Sequence, residues 1–347
     1  MKKIFLHFGY PRTATTSLQK NFFPIHPDIN YWGKLSQIVT KNRSLLYAKG
    51  FQKIYEKILH YENDIFDNQF DNLKNEFSEI SEKNYKKDKV NLISEEYIFL
   101  DCVHYNQAKK NKFERSLKRF KKLFNEVDLE ITYFFTIRNQ TDFLKSFYAA
   151  TTIGKGSIKY TVEELKNFLN SKTTKNKNLE LLLEELNYFK IVEYLRTNLK
   201  SSNFKVFIYE DFLTKKEQYI DQLSEFLVID RLKSNKIFNF KKINSSVINF
   251  KENERYNSKY NVFLSLVKKN IFEPKYLIKN LHKKIYATLL FVFRNNNFKG
   301  SLEQRKTRYL NDLIEIENQR KNIRNFYQSE NEKLEKYLNL DLKKFKY

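Results

Sequence analysis

Three stretches of the chain carry side chains of the type and spacing that handle anions and protons. The first, Phe5-Leu-His-Phe-Gly9-Tyr-Pro11-Arg12-Thr13-Ala14-Thr15-Thr16-Ser17-Leu-Gln19, reads as a strand, a turn and the start of a helix crowded with hydroxyls. A helix starting there presents unpaired backbone N–H groups, Thr15 and Thr16 at the positive end of its dipole, which favours a phosphate. Against the frame G-x-x-x-x-G-K-[ST], counted from Gly9, Ala14 replaces the second glycine and Thr15 the lysine. The lysine that reaches β- and γ-phosphates is therefore missing, and the cation moves forward to Arg12. A loop of this shape suits a nucleotide with a single 5′-phosphate and one transferable group.

The second stretch is Phe134-Phe-Thr-Ile-Arg138-Asn139-Gln140-Thr141-Asp142-Phe-Leu-Lys-Ser146-Phe-Tyr148. Arg138 emerges at a strand end, Thr141 or Asp142 caps a helix, and Ser146 lies one turn inside it. Arginine and serine then converge on one anion, which the guanidinium can grip with two parallel hydrogen bonds. The third is Leu92-Ile93-Ser94-Glu95-Glu96. Adjacent residues leaving a strand point to opposite sides, so one carboxylate can face a cleft as a general base while the other faces away. Of the histidines, His7 reads as a core residue beside the first loop and His104 follows Glu96 closely enough to reach the same cleft. His26, His60 and His282 have no context that singles them out. No His/Asp/Glu cluster has metal-ligand spacing.

Positioning these groups needs strands that end together. Four β-type runs stand out, Lys3–Phe8, Val90–Ser94, Ile131–Ile137 and Phe204–Tyr209, separated by helical periodicity in Phe113–Phe124, Thr161–Leu169 and Leu179–Leu199. Strands alternating with helices predict an α/β fold with a central parallel sheet. Such sheets bind ligands beyond the carboxyl ends of their strands, here Gly9–Thr16, Glu95-Glu96, Arg138-Asn139 and Glu210-Asp211. The polar stretch Lys34–Lys89 reads as a helical insertion covering one sheet edge, and the chain from Val247 onward reads as helical. With no repeat and no Pro/Gly-rich linker, the expectation is one domain over 1–347, an α/β nucleotide-binding core (1–245) with a mostly helical C-terminal extension (246–347).

At 347 residues and 41% hydrophobic content the chain can bury a real core, which excludes disorder. Lysine and arginine number 64 against 41 acids, a net charge of +23; this is either an anion-attracting surface or a compositional habit, since lysines are spread throughout. Cys102 is the sole cysteine, so neither an intrachain disulfide nor a cysteine zinc site is possible. Neither Ile4–Phe8 nor Tyr286–Phe293 approaches the roughly 20 residues of a spanning helix, and a soluble, cytoplasmic protein is expected. A nucleotide kinase is the first alternative, disfavoured by the absent lysine and by the lack of an aspartate closing an apolar strand for magnesium. A nucleic-acid binder is the second, prompted by charge alone; no helix-turn-helix, RNP or zinc-finger pattern occurs, and no nucleic-acid partner is expected.

Pro11–Gln19 resembles the 5′-phosphosulfate loop, P-K-[ST]-G-T-T-x-L, of sulfotransferases that use 3′-phosphoadenosine 5′-phosphosulfate (PAPS), with Arg12 for lysine and Ala14 for glycine. The second stretch resembles the same family's R-[ND]-P-x-D-x-x-x-S-x-Y motif, matching at Arg138, Asn139, Asp142, Ser146 and Tyr148, with Gln140 for proline. Phe204–Leu213 resembles its strand-plus-YEDL element, and Ser94-Glu95-Glu96 and the segment from Phe326 to Tyr347 resemble bacterial, carbohydrate-type members. The resemblance implies a P-loop-like three-layer fold and transfer of a sulfuryl group from PAPS to an acceptor hydroxyl, releasing adenosine 3′,5′-bisphosphate with no metal required. It implies that Arg12, Thr13, Ala14, Thr15, Thr16 and Ser17 hold the 5′-phosphosulfate. Arg138 and Ser146, with Lys299 and Gly300, would hold the 3′-phosphate. Glu96, with Glu95 second, would be the general base. The acceptor implied is a carbohydrate, a glycan or glycolipid that a basic surface would suit if it were anionic, with peripheral membrane contact; the oligomeric state is not implied.

Overall fold

The computed structural model describes residues 2–10, 12–35, 46–47, 51–99, 112–153, 160–201, 203–238 and 302–347. Cys102, His104, His282, Lys299 and Gly300 lie outside the described residues. In chain order the strands are β1 (Lys2–Gly9), β2 (Ile29–Tyr31), β3 (Lys34–Leu35), β4 (Leu46–Tyr47), β5 (Val90–Ser94), β6 (Leu129–Ile137) and β7 (Phe204–Ile208). The helices are α1 (Thr15–Asn21), α2 (Gln52–His60), α3 (Asn63–Asn68), α4 (Phe70–Asn84), α5 (Lys112–Asn125), α6 (Gln140–Ile153) and α7 (Val162–Ser171). They continue with α8 (Lys177–Glu185), α9 (Tyr188–Thr197), α10 (Tyr209–Thr214), α11 (Lys216–Leu227), α12 (Arg231–Ile237), α13 (Leu302–Asn318) and α14 (Arg320–Leu338).

Five strands form one parallel sheet in the order β2-β5-β1-β6-β7. Helices cover it, so both faces are dry, and β1 and β6 read as nearly continuous apolar runs because neither face meets water. On one face Phe134 and Phe207 pack with Leu18 of α1, with Phe22 just after it, and with Tyr219 and Leu223 of α11. On the other, Phe8 stacks on Phe135 with centroids 5.1 Å apart and meets Phe99 at 5.4 Å. With β1 in the centre, its carboxyl end is flanked by those of β5 and β6, through the pairings His7 with Ser94 and Gly9 with Thr136. All three of these stretches thus leave the sheet at its carboxyl end, on neighbouring strands.

The fold corrects the sequence reading in three places. A fifth strand, β2, lies at the sheet edge; three residues, Ile29–Tyr31, are too few to show a period. The continuous helical pattern over Leu179–Leu199 is two helices, because Asn187 accepts a hydrogen bond from Lys190 N–H (3.2 Å) and caps α9 as a new start. The helix after Arg138 is capped by Asn139, whose Oδ1 accepts from Asp142 N–H at 3.2 Å, and not by Thr141 or Asp142. The stretch read as a helical insertion contains α2, α3 and α4 after the short β3 and β4, and α2 packs against α5. The chain divides into two compact units, Met1–Lys241 with Asp312–Tyr347, and Lys242–Asn311. In the first, α14 packs against α6 and α9.

Candidate active site

The loop between β1 and α1 is wound tightly. Arg12 (φ 74°) and Ala14 (φ 65°, ψ 5°) both adopt the left-handed conformation, and alternation of that kind curls a loop into a concavity whose N–H groups turn inward to an anion. Thr13 locks the curl by donating its hydroxyl to Tyr10 O at 2.6 Å. Leu18 N–H donates to Ala14 O at 3.0 Å, closing the first turn of α1. A Cβ on Gly9 would lie 2.8 Å from Thr15 Cγ2 and 3.2 Å from Thr13 Oγ1, so the loop folds back over a position with no room for a side chain. The Thr16 and Ser17 hydroxyls make no hydrogen bond among the described residues.

From the neighbouring strand β6, Arg138 reaches this loop. Its Nη1 donates to Arg12 O at 2.9 Å and its guanidinium lies 4.6 Å from the centroid of the Tyr209 ring. Its Nε is buried without a hydrogen-bond partner, and no carboxylate forms an ion pair with it among the described residues. Arg12 Nε in turn donates to Ser146 Oγ at 2.9 Å. Arg12, Arg138 and Ser146, taken from two motifs more than a hundred residues apart, therefore meet on one side of the loop. Arg138 is thus a half-buried guanidinium with a donor to spare, on which the Glu210 carboxylate acts through space without an ion pair among the described residues.

The carboxylate lies on the other side. Glu96 Oε2 accepts from the Thr15 hydroxyl at 3.2 Å, and Oε1 is ion-paired to Lys34 Nζ at 2.6 Å. Glu95 turns the opposite way: it is fully buried and acts electrostatically on the buried Tyr31 and Tyr55 hydroxyls. Alternation along the strand end thus divides the pair, placing Glu96 at the loop. Beneath them, His7 Nδ1 and Gln19 Nε2 meet Ser94 Oγ at 2.7 and 3.1 Å, fixing the residue that precedes both glutamates. Burial holds the His7 imidazole down to about 3, so it stays neutral and does not serve as a proton carrier near neutral pH. Gly33 is pressed against the same strand end: a Cβ there would overlap the Ser94 backbone nitrogen and stand 2.8 Å from Ser94 O.

Lys34 is the site residue that sequence reasoning missed. It belongs to no motif, and the polar composition after it made the whole stretch look peripheral; its one signal is its position just beyond a short apolar run ending in glycine. The two departures from the family patterns also have physical accounts. Gln140 and Asn331 form a reciprocal amide pair, Nε2 to Oδ1 at 3.0 Å and Nδ2 to Oε1 at 3.4 Å, so glutamine joins α6 to α14 where proline would offer nothing. Asp142 is likewise tied to α14, accepting from Arg320 at 2.6 Å, and Tyr148 donates to Asp312 at 2.6 Å. Ala14 carries the left-handed turn itself, at a steric cost of about 1 kcal/mol that glycine would avoid.

No protein-family model matches the chain, and no curated protein does. Among solved structures it is similar to a sulfotransferase from Alicyclobacillus acidocaldarius, at 12% identity and a TM-score of 0.37, over 75% of this chain and 92% of that one. It is also similar to the sulfotransferase domain from the curacin biosynthetic pathway, at 13% identity and a TM-score of 0.38, over 71% of this chain and 81% of that one. A mouse sulfotransferase complexed with PAP matches at 15% identity and a TM-score of 0.34, over 68% of this chain and 62% of that one. Among the described residues there is no group of three or more His, Cys, Asp or Glu able to hold a metal ion, and no helix long and apolar enough to cross a membrane.

Proposed function

We propose that this chain is a PAPS-dependent sulfotransferase. The observation that carries the reading is Arg138, a half-buried guanidinium that meets the loop through Arg12 O, has a buried Nε without a partner, and pairs with no carboxylate among the described residues. A 3′-phosphate would give that guanidinium the direct charged partner that Glu210, acting on it only through space, does not. Fitted to the same frame, the concave turn over Arg12–Ser17 receives the 5′-phosphosulfate, the Thr16 and Ser17 hydroxyls being available to it. Arg12 then answers negative charge developing on the oxygen that bridges sulfur and phosphorus.

PAPS supplies the activated sulfuryl group. In the transfer a bond forms from the acceptor oxygen to sulfur while the bond from sulfur to the 5′-phosphate oxygen breaks, and the acceptor proton passes to a base. Glu96 is that base. Lys34 holds Oε1 through a charged contact, whereas among the described residues Oε2 meets the neutral Thr15 hydroxyl at the longer distance of 3.2 Å. Oε2 is therefore the oxygen that an acceptor hydroxyl takes over, and Thr15 places it next to the loop that holds the sulfuryl donor.

For the acceptor we favour a carbohydrate, a glycan or glycolipid, reached in the cytoplasm; the net charge of +23 would draw an anionic one to the surface. The test is transfer from radiolabelled PAPS to a panel of neutral and acidic oligosaccharides. Wild type should label at least one, while Glu96→Gln retains binding of adenosine 3′,5′-bisphosphate and loses labelling by about a hundredfold or more. Undiminished labelling by Glu96→Gln would remove Glu96 from the role of base.

A further inference from the structure

The peptide between Arg138 and Asn139 is held at both of its polar ends. The Tyr188 hydroxyl donates to Arg138 O at 2.6 Å, and Asn139 N–H donates to Glu210 Oε1 at 2.9 Å. One rigid plane carries both groups, so these bonds fix the direction in which the Arg138 side chain leaves β6. Glu210 does more than accept from Asn139: its Oε2 accepts from the Tyr347 hydroxyl at 2.9 Å. The Tyr347 ring meets that of Tyr188 with centroids 6.4 Å apart, which closes a ring of contacts around the peptide. Asn139 adds to it, since its Nδ2 donates to the carbonyls of Phe345 and Lys346 at 3.2 and 2.8 Å. Residues 345–347 are thereby docked on the strand end that carries Arg138.

The Glu210 carboxylate is mostly buried and burial pushes its pKa up, against the hydrogen bonds from Asn139 N–H and the Tyr347 hydroxyl and the smaller pull of the Arg138 charge. A buried carboxylate that makes no ion pair with that arginine is an expensive group to keep, and nothing in the transfer step uses it. We propose that Glu210 is a positioning residue for 3′-phosphate recognition: bound to Asn139 N–H and to the Tyr347 hydroxyl, it sets the Arg138 guanidinium and couples docking of residues 345–347 to nucleotide affinity. The inference rests on the sulfotransferase reading and adds to it the residues that aim its arginine.

The test compares two nucleotides that differ only in the 3′-phosphate, adenosine 3′,5′-bisphosphate and adenosine 5′-phosphate, by calorimetric titration of the full chain. Wild type should prefer the bisphosphate by at least about tenfold, the worth of a charge-assisted pair. Glu210→Gln, which keeps the shape and an acceptor for Asn139 N–H, should cut that ratio by about fivefold or more and leave the monophosphate affinity within about twofold. Tyr347→Phe should cut the ratio by about threefold, and it decides the matter if Glu210→Gln does not fold. Equal weakening for both nucleotides would reduce Glu210 to a structural role and overturn the proposal, as would unchanged ratios in a wild-type-like protein. Absence of any preference in wild type would instead strike the sulfotransferase reading itself.

Discussion

Arg12 Nε donates to Ser146 Oγ at 2.9 Å, joining the loop after β1 to the helix after β6. In the proposed function the same serine also meets the 3′-phosphate, so removal of its hydroxyl would loosen the loop cation and take away an anion donor together. Ser146→Ala should weaken binding of adenosine 3′,5′-bisphosphate by about tenfold, the value of a hydrogen bond to a charged group, with little change in thermal stability. Calorimetric titration beside a melting curve checks both halves; a stable protein with undiminished affinity would remove Ser146 from the site.

Ala14 holds a left-handed conformation that costs an alanine about 1 kcal/mol and a glycine almost nothing. The extra freedom of glycine in the unfolded chain offsets about 0.5–1 kcal/mol of that gain. Ala14→Gly should accordingly melt within a few degrees of wild type. Ala14→Val, β-branched at the same angles, should melt several degrees lower and bind nucleotide more weakly. If valine is tolerated as well as glycine, the turn does not have the shape described.

The Gln140–Asn331 pair is buried, so breaking one partner leaves the other amide without hydrogen bonds. Gln140→Leu or Asn331→Leu alone should each cost about 1–3 kcal/mol, whereas the double variant should cost clearly less than their sum. Denaturant unfolding of the four proteins measures this directly. Additive losses would show that the two amides do not act as a pair.

The buried His7 predicts a pH dependence of stability. Its imidazole titrates near 6.5 in the unfolded chain and at about 3 in the fold. Across that window the unfolded chain binds a proton that the folded chain does not, so stability falls as pH is lowered, by about 2 kcal/mol between pH 7 and 5. Glu210 works in the opposite sense, its raised folded pKa favouring the fold at low pH, and it does so equally in a His7 variant. His7→Gln should therefore narrow the difference in unfolding free energy between pH 7 and 5 by about that amount. A gap as wide as in wild type would mean that His7 is not the group responsible.

Most of the sheet, and the meeting of Arg12, Arg138 and Ser146 in the candidate site, were legible in the sequence. Val90–Ser94, Leu129–Ile137 and Phe204–Ile208 are buried over most of their length, so they appear as largely apolar runs, and Glu96, Arg138 and Glu210 follow within two residues of their carboxyl ends. Arg138 and Ser146 lie on one strand-to-helix unit, where local spacing fixes their geometry. Their meeting with Arg12 follows once β1 and β6 are neighbours. What the sequence hid depends on long-range contact without local signature. Lys34 reaches Glu96 across 62 positions, and Tyr347 reaches Glu210 across 137. The cap supplied by Asn139 was obscured because Thr141 and Asp142 are equally good capping types two and three residues later, and only the backbone decides among them.

The most direct measurement is calorimetric titration with adenosine 3′,5′-bisphosphate in the presence of a chelator, on wild type and Arg138→Ala, with ATP and magnesium in parallel. The account predicts metal-independent binding by wild type, at least about a hundredfold weaker in Arg138→Ala, and no comparable affinity for ATP. Preference for ATP with magnesium, or binding of the bisphosphate that survives loss of Arg138, would contradict it.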